Sequence, residues 1–339
     1  MTGAIVTWII LGLGACGGDD GGGGGGGTDS GVTDAGGDGG SMGDPWNAPG
    51  ERRPFPDTSI DGEQDPDNRY EPLPGSTRPP DFSCDGMHTA PAEGSPISFT
   101  FHVQDFQEDT PTSGVCVKFF PDNVVTDAPC MPGSGTDFMT DMMGDFTVMD
   151  AAGSWYAYRI FPRMGATPAT TVVGSVQINE PAPMMAGGRV VGNSVSQATI
   201  NLIPAVLGFG RVAGTGLIAG TAYDCDQEPL YGVQVRLFTA DRTPIVEGTR
   251  RMDPHFRYFD GEDFPSADQP WTHVDGLFAV GNIPVPADNQ PIYVETWGRQ
   301  TPGGPVEMIG CERIRVFADT VAIVNVMPKR MDGPMGCSQ

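Results

Sequence analysis

Imidazole chemistry in this chain is limited to His88, His102, His255 and His273. His255 and Tyr258 lie in an insert from Glu247 to Trp271, and His273 follows its end. A His255/His273/Tyr258 set is therefore the grouping whose types suit a transition metal. No His-x-His pair accompanies it, and aromatic-rich inserts more commonly cover a sheet edge than hold metal. No metal and no other cofactor is expected. The Gly-x-Ser-x-Gly string from Gly39 to Gly43 has neither strand nor helix around it to present Ser41 on an elbow, so nucleophilic hydrolysis is not expected. From Asp57, the oxygen side chains of Ser59, Asp61, Glu63 and Asp65, with Gly62 at the sixth place, follow calcium-loop spacing. Asn68 then stands where a bidentate Glu is required, and Pro66 interrupts the loop. The insert also concentrates Tyr258, Phe259, Phe264 and Trp271. With Trp297 they make the candidate binding face, rings suited to stacking on a sugar or packing on a protein.

Positioning any of these groups takes folded elements, and much of the chain is unsuited to folding. Its 339 residues include 49 Gly and 32 Pro, and the formal net charge is −24. Half of that charge sits in residues 1 to 94, where 16 acidic residues face 4 basic ones. Such a balance repels phosphate backbones and anionic headgroups, so neither nucleic acid nor an electrostatically docked membrane is an expected partner. Residues 17 to 50 hold 16 Gly and 6 Asp and have almost nothing apolar to set against backbone entropy. The heptaglycine Gly21 to Gly27 has no preceding strand and no following Lys-Ser/Thr, so it reads as spacer and not as a phosphate loop.

Ala4 to Ala15 is an apolar run of 12 residues, too short for the roughly 20 that span a bilayer and suited to the core of an export signal. Leu13-Gly14-Ala15-Cys16 directly follows and resembles the bacterial lipobox. That resemblance implies cleavage before Cys16, acylation of its thiol, and durable anchoring through more than one chain. Residues 1–15 are then signal peptide and 16–94 a lipidated, disordered Gly/Asp/Pro-rich tether with a reach of about 50 Å. Gly17 in place of Asp after the cysteine favours the outer membrane or cell surface. The Met1-Thr2-Gly3 start carries no basic residue, a departure from such signals that puts the start codon in question.

Beyond residue 95 the pattern changes to period-two alternation. Ile97 to Gln104 reads as a half-buried strand with Ile97, Phe99, Phe101 and Val103 inward. Val115 to Phe119, Trp155 to Ile160, Val173 to Ile178 and Thr199 to Ile203 read likewise. After Gly210 so do Gly216 to Tyr223, Val233 to Phe238, Leu277 to Val280, Ile292 to Glu295, Ile309 to Val316 and Val321 to Met327. The two halves match: Ser113 to Phe120 with Tyr231 to Phe238, Gly144-Asp145-Phe146 with Gly276-Leu277-Phe278, and Thr199 to Pro204 with Ile323 to Pro328. Offsets of 118, 132 and 124 are those of a duplicated module with loop insertions. The expected organisation is all-β: a first sandwich over 95–210, a second over 211–330, and a tail over 331–339.

Within the second half, Gly220 to Leu237 ends a strand in a polar turn, follows with Pro229-Leu230, and opens the next strand with Gly232-Val233-Gln234-Val235. Thr272 to Phe278 and Asn282-Ile283-Pro284 then resemble the T-D-x-G-x-F turn and N-x-P corner of carboxypeptidase regulatory-like domains. The resemblance implies a prealbumin-like, Ig-like sandwich in which Gly276 supplies a positive φ and Phe278 fills the core. In the first half Gly144 keeps the turn while Thr140-Asp141 is displaced. No peptidase domain accompanies either half. Intradiol dioxygenases use a related core with iron on two Tyr and two His, so by fold analogy they are the enzymatic alternative for the 247–273 insert.

After Cys16 the remaining cysteines are Cys84, Cys116, Cys130, Cys225, Cys311 and Cys337. An even number with no Cys-x-x-Cys in an exported chain points to disulfides, and six cysteines allow 15 connectivities. The expected set joins Cys225 to Cys311 across the second sandwich and Cys116 to Cys130 in the first, because Cys116 aligns with outward-facing Gln234. Cys84 and Cys337 remain as the third pair. The function this sequence implies is non-catalytic display from a lipid anchor, with a polysaccharide or envelope protein as partner. A purely structural spacer is the bland alternative.

Overall fold

The structure, a computed structural model, describes residues 80–89, 94–162, 172–206, 209–260, 265–266, 269–273, 275–287, 290–301, 304–328, 330–331 and 337. The export signal, Cys16, the heptaglycine, Ser41, the 57–68 spacing and Phe264 lie outside the described residues. The described chain is almost entirely β, with a single helix.

In the first sandwich β2 (Pro96–Asp105) lies between antiparallel β5 (Asp145–Ala151) and parallel β8 (Arg189–Ser196). The second layer runs β4 (Asp137–Met139), β3 (Cys116–Phe120), β6 (Trp155–Phe161), β7 (Val172–Pro181). Alternation along β2 sends Phe99, Phe101 and Val103 into the space between layers, where they meet Phe119, Tyr156 and Tyr158 of the facing sheet. Phe101 meets Tyr158 edge-on at 4.8 Å between centroids and stacks on Phe146 at 4.9 Å. Each such ring, fully buried, stabilises the fold by about 1.5–3 kcal/mol.

The second sandwich pairs β12 (His255–Phe259) with β14 (Leu277–Ile283), β14 with β9 (Gly216–Ala222), and β9 in parallel with β17 (Thr320–Val326). Opposite stand β11 (Pro244–Ile245), β10 (Gln234–Phe238), β15 (Ile292–Gly298) and β16 (Glu307–Ile314), in that order. The two sandwiches are fused. β17 also pairs in parallel with β7, Thr320 opposite Gly174 through Ile323 opposite Gln177, so one sheet runs through both halves. The main core likewise mixes Phe120, Ala157, Val176 and Ile178 of the first half with Val235, Phe278 and Val324 of the second. β6 is buried on both faces as a result. Tyr156, Tyr158 and Ile160 face the first core and Ala157 the shared one, which explains its near-continuous apolar sequence.

One turn recurs in the two halves. Gly144 (φ +77) and Gly276 (φ +64) both adopt left-handed backbone, and a Cβ on either would lie 2.4–2.5 Å from a carbonyl oxygen, that of Val103 or Ala222. Thr140 Oγ1 accepts from Val115 N–H at 3.0 Å as Thr272 Oγ1 accepts from Val233 N–H at 2.9 Å. Thr140 is therefore not displaced; only the neighbouring Asp is.

One stretch departs from expectation. Thr199 to Ile203, expected as a strand matching Ile323 to Met327, lies in helix α1 (Gln197–Val206). Ser196 Oγ accepts from Thr199 N–H at 3.1 Å, a serine N-cap that starts the helix. Ile200 then packs with Val173, Val195, Leu217 and Val321. Five alternating residues fit either period, and the cap with the apolar surface beneath it decides for helix.

Candidate functional site

β12 places the residues expected to bind ligand, and its period of two puts them under cover on both sides. Phe256 and Tyr258 enter the shared core, and the Tyr258 hydroxyl accepts from Val235 N–H at 2.9 Å. Phe259, on the other side, packs with Phe209 and Ala279, and Trp271 is only 8% exposed. Trp297 is half-buried; its indole N–H donates to Glu295 at 2.9 Å and the Arg236 guanidinium lies 4.4 Å from its ring centroid. Of the expected aromatic binding face, Tyr258, Phe259 and Trp271 are thus buried, and Trp297 alone is half-buried, on an interior strand of the opposite sheet.

The His255/His273/Tyr258 set does not assemble either. Tyr258 points into the core while His255 points to the other side of β12, where it stacks on Phe209 with centroids 5.1 Å apart. Its Nδ1 is 3.8 Å from Glu247, which Arg257 engages more closely, and among the described residues neither ring nitrogen has a hydrogen-bond partner. His273 meets Tyr231 edge-on, and burial lowers its pKa against the opposing charge of Asp260. Among the described residues no group of three or more His, Cys, Asp or Glu is placed to hold a metal ion.

The disulfides form a different framework from the one expected. Cys84 is bonded to Cys225, Cys116 to Cys130, and Cys311 to Cys337. The first and third replace the Cys225/Cys311 and Cys84/Cys337 pairs. The cause is residues 80–89, assigned by composition to the tether, which dock on the second sandwich. Asp81 N–H donates to Asp224 at 2.9 Å, Cys225 N–H donates to the Asp81 carbonyl at 2.8 Å, and Phe82 packs against Ala222, Leu230, Val233 and Ile309. β1 (His88–Thr89) then pairs in parallel with β18 (Arg330–Met331). This ladder brings Cys84 to the turn that carries Cys225, while Cys311 is buried on β16 beside the tail.

Where the halves meet, a polar cluster forms that the sequence did not signal. Asn123 and Asn179 hydrogen-bond to each other through side chain and backbone, and Asn179 Nδ2 donates to Glu312 of β16. Gln177 accepts from the Tyr158 hydroxyl and donates to Glu180. Burial pushes the Glu180 carboxyl up to about 7 against the hydrogen bond from Gln177, and that of Glu312 up to about 8 against the hydrogen bond from Asn179. Two carboxyls 132 residues apart carry no spacing that reading along the chain would detect.

A narrow cleft of about 10 Å³, room for little more than one water molecule, lies beside α1 between Ile200, Phe209, Leu217 and Val321. Its polar rim is occupied internally: Arg211 bonds Asp319 at 2.9 Å and Asn282 takes Val212 N–H and donates to two carbonyls. It offers little free valence to a ligand.

No protein-family model matches this chain, and no curated protein matches it. Among solved structures it is similar to a Streptococcal ancillary pilin at 13% identity, over 70% of this chain and 63% of that one, with a TM-score of 0.19. A shaft pilin from Lactobacillus rhamnosus GG gives 11% identity over 69% and 97%, TM-score 0.18. A minor pilin of Streptococcus agalactiae gives 12% over 72% and 100%, TM-score 0.19. The match thus spans slightly less than two thirds of the ancillary pilin. The sandwich architecture of this chain rests on its own strand pairing.

Proposed function

We propose that this chain is a non-catalytic, lipid-anchored protein of the bacterial cell envelope, whose fused sandwiches are held off the outer membrane as one scaffold for an envelope protein or polysaccharide. The observation that carries the reading is covalent. Cys84, the first cysteine after the Gly/Pro-rich stretch, is bonded to Cys225 of the second sandwich, so the tether ends in the body and not in a loose linker. Three disulfides suit an oxidising compartment, as export from the signal ending at Ala15 requires. The acidic tether, anchored through acyl chains on Cys16, supplies reach and solubility. Burial of Tyr258, Phe259 and Trp271 removes the stacking surface on which sugar capture rested, and this favours the scaffolding role over a lectin-like one.

The non-reduced intact mass of the protein extracted from its host's membranes tests this. The expected mass is residues 16 to 339 plus acyl chains, less six hydrogens for three disulfides. A mass retaining residues 1 to 15, or lacking lipid, overturns the anchored reading. Cross-linking on intact cells then identifies the partner.

A further inference from the structure

Methionine is ordinarily among the most buried residue types, a flexible filler of cores. Here the distribution is inverted. Of the twelve large apolar side chains exposed among the described residues, nine are methionine, and the buried core contains none. Met142 and Met143 crown the turn between β4 and β5, 90% and 62% exposed, and Met184 and Met185 stand at 72% and 78% in the loop between β7 and β8. Met131 and Met149 add to the same sandwich. The turn that lifts the first pair is built for display: Asp141 accepts the N–H groups of Met143 and Asp145, and Gly144 closes it with a positive φ.

Competing reductants have been withdrawn. All six cysteines after Cys16 are in disulfides, so no thiol is free among the described residues. The easily oxidised rings of Trp271, Tyr156, Tyr158, Tyr231 and Tyr258 are buried. The fully exposed thioethers stand ahead of the part-buried rings of Trp155, Tyr223, Tyr293 and Trp297 in what an oxidant meets first. Sulfoxide formation turns an apolar side chain polar and disrupts cores that contain it; on a side chain already in water it removes no burial.

We propose that these outward methionines are an oxidant-quenching surface, sites of sulfoxide formation by two-electron oxygen-atom donors, either hypohalous acids or hydroperoxides, that leaves the fold standing. In each event one S–O bond forms and the donor's O–halogen or O–O bond breaks. Sulfur loses two electrons. A hypohalous acid leaves as halide with its proton released to solvent; hydrogen peroxide leaves as water, the proton passing from one oxygen to the other.

The test treats the full chain, disulfides intact, with hypochlorous acid in one arm and hydrogen peroxide in the other, and follows peptide masses and the thermal transition. The expected result is a gain of one oxygen at Met131, Met142, Met143, Met149, Met184 and Met185 before any change at Trp271, with Tm unchanged within about 3 °C. Sulfoxides in the first arm alone assign the surface to hypohalous acids, and in both arms to both donors. A variant with these six methionines changed to Gln, which resembles sulfoxide in polarity and size, should take up six fewer oxygen atoms per chain and keep its Tm. Oxidation of Trp271 first, loss of the transition on oxidation of the unsubstituted chain, or an unchanged oxygen uptake in the variant overturns the proposal.

Discussion

Thr140 and Thr272 show how much one side chain decides in this chain. Each hydroxyl takes the N–H just ahead of a strand, of Val115 or Val233, and Thr272, fully buried, also donates to the Leu230 carbonyl at 2.7 Å. Replacing either with Val keeps the shape and leaves a buried N–H unpaired. T140V and T272V should each destabilise the protein by about 1–3 kcal/mol in denaturant titration, T272V the more because it also loses the bond to the Leu230 carbonyl. Gly276→Ala should cost at least as much, since it combines left-handed backbone with a contact to the Ala222 carbonyl. The junction carboxyls set a pH dependence. Unfolded, Glu180 and Glu312 titrate near 4.5; folded, they hold their protons to about 7 and about 8. The folded state therefore binds more protons through that window, and their contribution to stability, complete below pH 4.5, is lost as pH rises through 7 and 8. Carboxylates with depressed pKa, such as Asp145, act in the opposite sense only below their ordinary range: burial raises Asp145, but the hydrogen bonds and charges of His102 and Arg189 outweigh it. We expect Tm to fall between about pH 5 and 8.5, measured by thermal denaturation across that range. Glu312→Gln, the more deeply buried of the two, should flatten the profile.

At the scale of elements, alternation, caps and coverage compete. β2 and β6 obey their alternation because two layers close on them, and β6 has a second neighbour that its sequence announces only as unbroken apolarity. Ala157, fully buried, faces that neighbour. Enlarging it to Leu should cost about 1–3 kcal/mol, a strain absent if the sheet had a solvent face. α1 tests the opposite case. Its first turn depends on the Ser196 hydroxyl, so Ser196→Ala should lower stability by about 1 kcal/mol, measured by chemical denaturation. The aromatic insert illustrates the hazard in reading exposure from composition. Tyr258, Phe259 and Trp271 cluster in sequence as a binding loop would, yet β12, covered on both sides, buries the first two, and Trp271 is buried in the bend that follows.

For the whole molecule, the Cys84–Cys225 bond closes a loop of 141 residues around the entire first sandwich, and Cys311–Cys337 closes another of 26. A pull on the two ends therefore runs through the second sandwich and bypasses the first. In single-molecule stretching of the oxidised chain the first sandwich should contribute no extension. Reduction should lengthen the fully unfolded contour by on the order of 500–600 Å.

The sequence by itself determined what depends on local periodicity and chemistry: an all-β body from strands of period two and the glycine turns at Gly144 and Gly276. The glycine turns were legible because their constraint is local, whereas the matching role of Thr140 and Thr272 came only from the hydrogen bonds to Val115 and Val233. The tertiary structure decided everything set by approach between distant segments. It chose helix for Gln197 to Val206, joined the halves through β7 and β17, brought Cys84 to Cys225, and enclosed Glu180 with Glu312. The reason is physical: a strand's edge, a thiol and a carboxyl carry no mark of their partner until a shared core forms and fixes which surfaces meet.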